Sequence, residues 1–168
     1  SSNYSHEIDV VNIQELDPTI LVDLGYLSKS NFLKEDMYGD LEECFLRRKP
    51  AEMLCQANKH LKASHPELRL LVFDGLRTRS VQKKLWDALD TIPVSLRTQF
   101  VADPKKGSIH NYGAAVDLTL ALENGSELDM GTEYDHFGEL AFPALEDSLL
   151  ALGKLTDKQI ENRTILRQ

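Results

Sequence analysis

The sequence predicts one α+β domain in which helices flank a central antiparallel sheet. Three observations lead to this prediction: a strand-like apolar run at Leu68 to Phe73, an alternating segment at Ala114 to Leu122, and helical periodicity in other parts of the chain. Strands and helices in this mixed order are typical of α+β proteins. The chain has 168 residues, which is enough for one domain with a substantial core and short for two.

The elements of the first half follow from local patterns. In the first thirty residues, apolar groups such as Ile20-Leu21-Val22 mix with polar neighbours, which indicates extended segments packed on a core. A helix is predicted to start at Pro50, a residue favoured in the first helical turn, and to run towards Ala63. The run from Leu68 to Phe73 ends in Asp74-Gly75, which predicts a buried strand and a turn.

The second half gives clearer signals. Thr78 can cap a helix that includes Val81, Leu85, Trp86 and Leu89. In the strand predicted for Ala114 to Leu122, leucines alternate with a face that carries Asp117. Asn124-Gly125 predicts a hairpin turn, and a last helix is predicted from Thr156, its cap, to Leu166.

Composition excludes several classes of function. The net charge is −8 and no cluster of Lys and Arg is long enough to follow a phosphate backbone, so nucleic acid is not an expected partner. No apolar run is long enough for a membrane span. The two cysteines, Cys44 and Cys55, are too few for a disulfide scaffold and are expected to be buried or half-buried thiols, with a bridge between them as the minor alternative.

One stretch, from Ser108 to Leu120, combines residues suited to metal binding. Asp is disfavoured inside strands, so Asp117 needs a hydrogen-bond network, a cation or a metal if it is buried. His110 precedes it, and Gly113 between them allows a tight turn, so both side chains can reach one zinc ion. The alternative is a His–Asp hydrogen bond that only fixes a loop. Because zinc requires at least three protein ligands, these two residues alone leave that alternative open.

The stretch also carries a specific pattern, S-x-H-x-x-G-x-A-x-D-L-T-L, from Ser108 onwards. This pattern resembles the metallopeptidases that include the vancomycin-resistance D-alanyl-D-alanine dipeptidases (VanX type). More distant relatives are the peptidoglycan D,D-carboxypeptidases and the zinc-containing Hedgehog domain. Three further segments resemble the family in the same order, so that the likeness extends over nearly the whole chain: Val22 to Phe32, Asp74-Gly75-Leu76-Arg77, and Asp129 to Asp135.

The resemblance implies a zinc site and a Hedgehog/D,D-peptidase-like fold. His110 and Asp117 would be two of the three zinc ligands, and Arg77 would stabilise the oxyanion of the attacked carbonyl. A fixed guanidinium is suited to that role because it need not reorganise as negative charge develops. The alternative for Arg77 is a surface ion pair.

Three more residues would bind the substrate or support the site. Asp135 would pair with the free ammonium group of the dipeptide, Ser108 would hydrogen-bond its backbone, and Tyr26 would support the site near Arg77. The alternatives are a solvated loop acid for Asp135 and a turn residue for Ser108.

The chain departs from the family pattern at two places. Leu76-Arg77-Thr78 stands where the family has Tyr-Arg-Pro, which keeps the arginine and changes its neighbours. The family's E-x-W-H motif, with the general base and the third zinc ligand, is not present in residues 1–168. We expect the natural protein to continue past Gln168, and a catalytically dead relative is the alternative. Glu133-Tyr134-Asp135-His136 has similar spacing, but a loop is a poor platform for a metal ligand such as His136.

The expected function is therefore zinc-dependent hydrolysis of the small molecule D-Ala-D-Ala, in cell-wall metabolism or glycopeptide resistance. The alternatives are a peptidoglycan D,D-carboxypeptidase and a non-catalytic zinc- or partner-binding domain of the Hedgehog type. A chain of residues 1–168 alone is expected to bind zinc weakly and to be inactive, since it lacks the base and one ligand. A bacterial protein is implied, with the periplasm favoured over the cytoplasm.

Overall fold

The computed structural model describes residues 9–24, 43–76, 83, 86–87, 89–98, 103–106, 113–133 and 138–168. Its strands are β1 (Val10–Asn12), β2 (Leu21–Val22), β3 (Phe45–Arg47), β4 (Leu68–Asp74) and β5 (Asp117–Leu122). Its helices are α1 (Ile13–Leu16), α2 (Arg48–Ser64), α3 (Val94–Arg97), α4 (Glu146–Ala151) and α5 (Asp157–Arg167). Short 3₁₀ turns cover Glu139–Ala141 and Pro143–Leu145. Most of the helix predicted after Thr78 lies outside the described residues.

The strands form two small sheets. β2, β4 and β5 form one sheet in that order, and β1 pairs antiparallel with β3 in the other. The predicted α+β class is confirmed, but the central sheet is mixed, because β4 and β5 are antiparallel whereas β2 and β4 are parallel. A parallel pair needs a long crossover connection, and the chain between β2 and β4 provides it with β3 and α2.

Helix α2 covers one face of the central sheet. Its buried side chains Ala51, Leu54 and Leu61 join Leu70, Val72 and Leu120 in the main core. The predicted helix is confirmed, although it begins at Arg48, before Pro50. Asn58 is the polar member of this buried face: it accepts a hydrogen bond from the backbone N–H of Leu70 at 3.1 Å and donates one to Asp17 at 2.9 Å. The first bond fixes α2 to β4, and the second fixes α2 to Asp17 at the end of α1.

Strand β5 is shorter than its sequence pattern predicts. The alternation starts at Ala114, but pairing with β4 begins at Asp117, so Asp117 is the first residue of the strand and not a residue in its middle. The two faces alternate as predicted, since Leu120 lies in the main core and Ala121 packs with Leu71 and Phe73 on the opposite face. The Asn124-Gly125 hairpin is confirmed by the hydrogen bond from the N–H of Leu122 to the carbonyl of Ser126 at 2.8 Å.

Helix α5 begins as the sequence predicts. The Thr156 hydroxyl accepts a hydrogen bond from the N–H of Gln159, and the Gln159 side chain accepts one from the N–H of Thr156. This reciprocal capping box satisfies backbone donors at the start of a helix. Within the part of the chain that the structure describes, no helix has the length and apolar character of a membrane span.

Candidate active site

Two aspartates of neighbouring strands are paired at one end of the central sheet. Asp74, the last residue of β4, lies opposite Asp117, the first residue of β5, just after an irregularity in the pairing between Val72 and Asp74. Asp74 is completely buried and Asp117 is half-buried. Asp117 is the predicted site residue that the structure describes; the others, Tyr26, Arg77, Ser108, His110 and Asp135, lie outside the described residues.

Strand β3 holds the two segments that lead to this end of the sheet. The N–H of Leu76, which directly precedes Arg77, donates to the carbonyl of Phe45 at 2.9 Å. The N–H of Arg47 donates to the carbonyl of Gly113 at 2.9 Å. Gly113 follows His110 by three positions in the sequence. The backbone of one three-residue strand therefore fixes the exit from the Asp74 turn and the approach to Asp117.

Two glycines permit this close approach. Gly113 has a φ of 66°, a conformation that L side chains rarely adopt, and a Cβ there would lie 3.2 Å from the backbone nitrogen of Arg47. A Cβ on Gly75 would lie 2.4 Å from the Sγ of Cys44 and 3.0 Å from the carbonyl oxygen of Phe45. The tight turn predicted at Gly113 is confirmed. Gly75 is required for a different reason, which is space.

Cys44 packs against this turn as a neutral thiol. Burial raises the pKa of Cys44 to about 12, and the nearby charge of Asp74 adds to the shift. Both cysteines are free, with Cys44 buried and Cys55 partly buried, as the sequence predicts. Cys44 fills space beside Gly75, and its high pKa makes it a poor nucleophile.

A cleft of about 510 Å³ begins one residue beyond Asp117. Leu118 and Thr119 of β5 form one wall, and Leu166 of α5 contributes to another. The remaining lining residues come from the segment after the hairpin: Glu127, Leu128, Asp129, Met130, Thr132 and Glu133. This segment includes the Met-Gly stretch singled out in the sequence, which therefore lies close to the carboxyl-bearing end of the sheet.

Helix α5 holds the start of the Met-Gly segment. Asn162 donates to the backbone carbonyl of Asp129 at 2.9 Å, and Gln159 donates to the Asp129 carboxylate at 3.0 Å. The N–H of Gly131 also donates to this carboxylate at 2.8 Å. The hydrogen bonds from Gln159 and Gly131 lower the pKa of Asp129. Asp129 therefore has a structural role at the base of the segment.

The donor chemistry at the end of the sheet fits part of a zinc site. Within residues 9–24, 43–76 and the other described ranges, no three His, Cys, Asp or Glu side chains are close enough to hold a metal ion. Asp117 supplies one carboxylate, which is a suitable zinc ligand. The segment that ends at the anchored Gly113 contains His110, a residue with a second suitable donor.

A comparison with protein families shows which family the chain belongs to. The family model described as D-ala-D-ala dipeptidase matches residues 6–167. The chain belongs to this family. A D-alanyl-D-alanine dipeptidase of Escherichia coli (strain K12) is 29% identical over 135 residues, which are 80% of this chain and 65% of that protein.

Membership of the D-Ala-D-Ala dipeptidase family confirms the resemblance indicated by four sequence motifs. The structure places parts of three of these motifs near one another, at Asp74–Leu76, Gly113–Asp117 and Asp129–Glu133. Sequence reasoning did not identify Cys44, Phe45 and Arg47 as the residues that hold two of them. The short β3 strand has no alternating pattern that would have revealed its position.

The contact between Gly75 and Cys44 gives a prediction for this family member. We expect Gly75→Ala to lower the free energy of unfolding by about 1–3 kcal/mol, since the new methyl group overlaps the Cys44 thiol. In a Cys44→Ala background the same substitution should cost at least about 0.5 kcal/mol less. Urea denaturation of the four proteins of this cycle measures both values. Equal costs in both backgrounds would show that overlap with the Cys44 thiol is not the cause of the lost stability.

Proposed function

We propose that the full-length protein is a zinc-dependent dipeptidase that hydrolyses D-Ala-D-Ala. The observation that carries the proposal is the double anchoring on β3, through Phe45 and Arg47, beside the Asp117 carboxylate. It holds Leu76 and Gly113 near the end of the sheet where Asp117 lies, and these residues are one position before Arg77 and three positions after His110 in the sequence. A role in cell-wall metabolism or glycopeptide resistance is part of this proposal.

The zinc ligands in this proposal are His110 and Asp117. A third ligand and a general base would come from the E-x-W-H motif of the family, which residues 1–168 do not contain. Zinc bound in such a site lowers the pKa of water and polarises a carbonyl group. Asp117 suits the role because a strand end fixed by pairing with β4 presents its carboxylate from a rigid element.

The other proposed roles concern charge and orientation. Arg77 follows the anchored Leu76 and would stabilise the negative charge that develops on the scissile carbonyl oxygen. Asp135 would bind the free ammonium group of the dipeptide by charge pairing. Ser108 would hydrogen-bond the dipeptide backbone, and Tyr26 would support Arg77.

The test compares two substrates that differ only at the amino group. We expect the full-length protein with zinc to hydrolyse D-Ala-D-Ala and to spare N-acetyl-D-Ala-D-Ala, since acetylation removes the charge that Asp135 is proposed to bind. Measuring released D-alanine gives kcat/KM for each. The Asp135→Asn variant should lose activity on the free dipeptide.

The other outcomes identify the rival functions. Comparable rates on the two substrates would indicate a D,D-carboxypeptidase that acts on longer stems. Stoichiometric zinc with no turnover of either substrate would indicate a non-catalytic domain of the Hedgehog type.

A further inference from the structure

One buried arginine joins the two ends of the segment that contains Asp135. The Nε of Arg163 on α5 donates to the carbonyl of Met130 at 2.6 Å. Its terminal NH2 nitrogen donates to the carbonyl of Leu140 at 2.7 Å. Met130 precedes Asp135 and Leu140 follows it, so the two bonds enclose this segment of the sequence.

The planar geometry of the guanidinium group determines what these two hydrogen bonds do. Its N–H donors lie in one plane at fixed angles, so two carbonyls bound to one guanidinium are held at a fixed separation. An apolar residue in the same place would pack α5 against the segment without fixing that separation. A lysine would offer one nitrogen on a flexible stem and would not hold both carbonyls in this way.

The charge of Arg163 is neutralised within the structure. Its side chain is 9% exposed, and a buried cation is costly unless it is paired. Glu146 of α4 lies beside it at 3.4 Å and also forms a two-pronged contact with Arg167, at 2.8 and 3.1 Å. The hydrogen bond from Arg167 and, less strongly, that from Arg163 lower the pKa of Glu146. The carboxylate therefore remains charged at neutral pH.

The start of the segment has further attachments to α5. Asn162 and Gln159 hold Asp129, as described above. Gly131 has a φ of 81°, and an added Cβ there would be 2.6 Å from Leu155, which precedes α5, and 3.1 Å from the side-chain oxygen of Gln159 in α5. Arg163 extends this attachment to the far end at Leu140. The helix therefore holds both ends of one segment.

We propose that Arg163 is a positioning residue that determines specificity for a free amino terminus. By fixing Met130 and Leu140 on α5, it sets the span across which the chain must place Asp135. The inference rests on the proposed role of Asp135 in binding the ammonium group. Arg163 touches neither substrate nor zinc in this proposal, so its effect is exerted through the segment.

The experiment uses Arg163→Lys in the full-length zinc enzyme, because lysine keeps the charge beside Glu146. Its kcat/KM ratio for D-Ala-D-Ala over N-acetyl-D-Ala-D-Ala should fall by about 10–100-fold, the value of one charged contact. The fall should come mainly from a higher KM for the free dipeptide, with kcat nearly unchanged. Zinc content should also be unchanged.

Arg167→Lys is the matched control. It disturbs the same Glu146 carboxylate, but its hydrogen bonds within the described residues go to Glu146 and Thr164 and not to Met130 or Leu140, so the substrate ratio should stay within about 3-fold of the wild-type ratio. Both variants are assayed at a temperature where circular dichroism shows them folded. If the ratio changes equally in both, or follows the loss of thermal stability, the positioning role is wrong.

The outcomes separate this inference from the proposed function. A wild-type enzyme that fails to distinguish the two substrates contradicts the proposed role of Asp135 itself. A wild-type enzyme that does distinguish them, together with an Arg163→Lys variant that distinguishes them equally well, contradicts the role of Arg163 alone.

Discussion

Arg77→Ala in the full-length enzyme is expected to lower kcat for D-Ala-D-Ala by about 10²–10³, the usual cost of losing one oxyanion stabiliser. Zinc content and folding should be nearly unchanged, because Arg77 is not a proposed ligand. The expected loss of kcat follows from the position of Arg77 in the chain: it follows Leu76, which lies just beyond the end of β4 and whose N–H donates to the carbonyl of Phe45 in β3. Steady-state kinetics with parallel metal analysis measures both quantities.

Arg77→Lys and Arg79→Ala complete this experiment. Lysine should recover little activity, because a point charge on a flexible stem does not replace a planar pair of donors. Arg79 is expected on the helix predicted after Thr78, facing solvent, so Arg79→Ala should leave kcat within a few-fold of wild type. Equal tolerance of both alanine variants would contradict the oxyanion role. Sensitivity at Arg79 alone would place the functional arginine two positions later.

Elements with a strong local signal were predicted well from the sequence. Helix α5 has a capping box at Thr156, and the hairpin has Asn124-Gly125, so short-range hydrogen bonds and backbone preferences determine both. Strand β4 is apolar from Leu70 to Phe73 because both faces of this part of the strand are covered. In the helix cap and the hairpin, the interacting residues are only a few positions apart in the sequence. In β4, burial alone accounts for the apolar pattern.

Elements fixed by distant partners were missed. β3 is three residues long and is defined by its pairing with β1, in which Phe45 lies opposite Asn12. Because its partner strand is far away in the sequence, no local pattern marks β3. The late start of β5 has a similar cause. Residues 114–116 continue the alternation, but Asp74 and the pairing irregularity end the partner strand. Tertiary pairing, not propensity, sets these limits.

The residues of the candidate site also fall into those that a local pattern marks and those that only tertiary packing positions. Motifs identified Asp117 and the Asp74-Gly75 turn, because unusual residue types stand at the ends of strands. They did not identify Arg163 or Glu146, which lie on helices where charged residues are ordinarily solvated. Their burial depends on how α4 and α5 pack together, and the sequence contains no local sign of that contact.

Asp117→Asn tests the proposed metal site most directly. The amide keeps the shape of the side chain but removes the charge that favours zinc. Changing a residue that merely supports a zinc ligand costs about 10–100-fold in metal affinity, so loss of a ligand should cost at least about 100-fold. Activity at limiting zinc should fall with it. Competition against a zinc-binding dye measures the affinity, and excess zinc should restore part of the activity.

Glu123→Gln is the control, because Glu123 is an exposed acid just beyond the opposite end of β5. Its zinc affinity and activity should match those of the wild type. The competing interpretation of Asp117 is a hydrogen bond to His110 that only fixes a loop. In that case Asp117→Asn would retain zinc, because asparagine still accepts a hydrogen bond, and any loss of activity would follow thermal stability. A zinc affinity that falls while the melting temperature of the zinc-free protein stays unchanged is the result that only a ligand role explains.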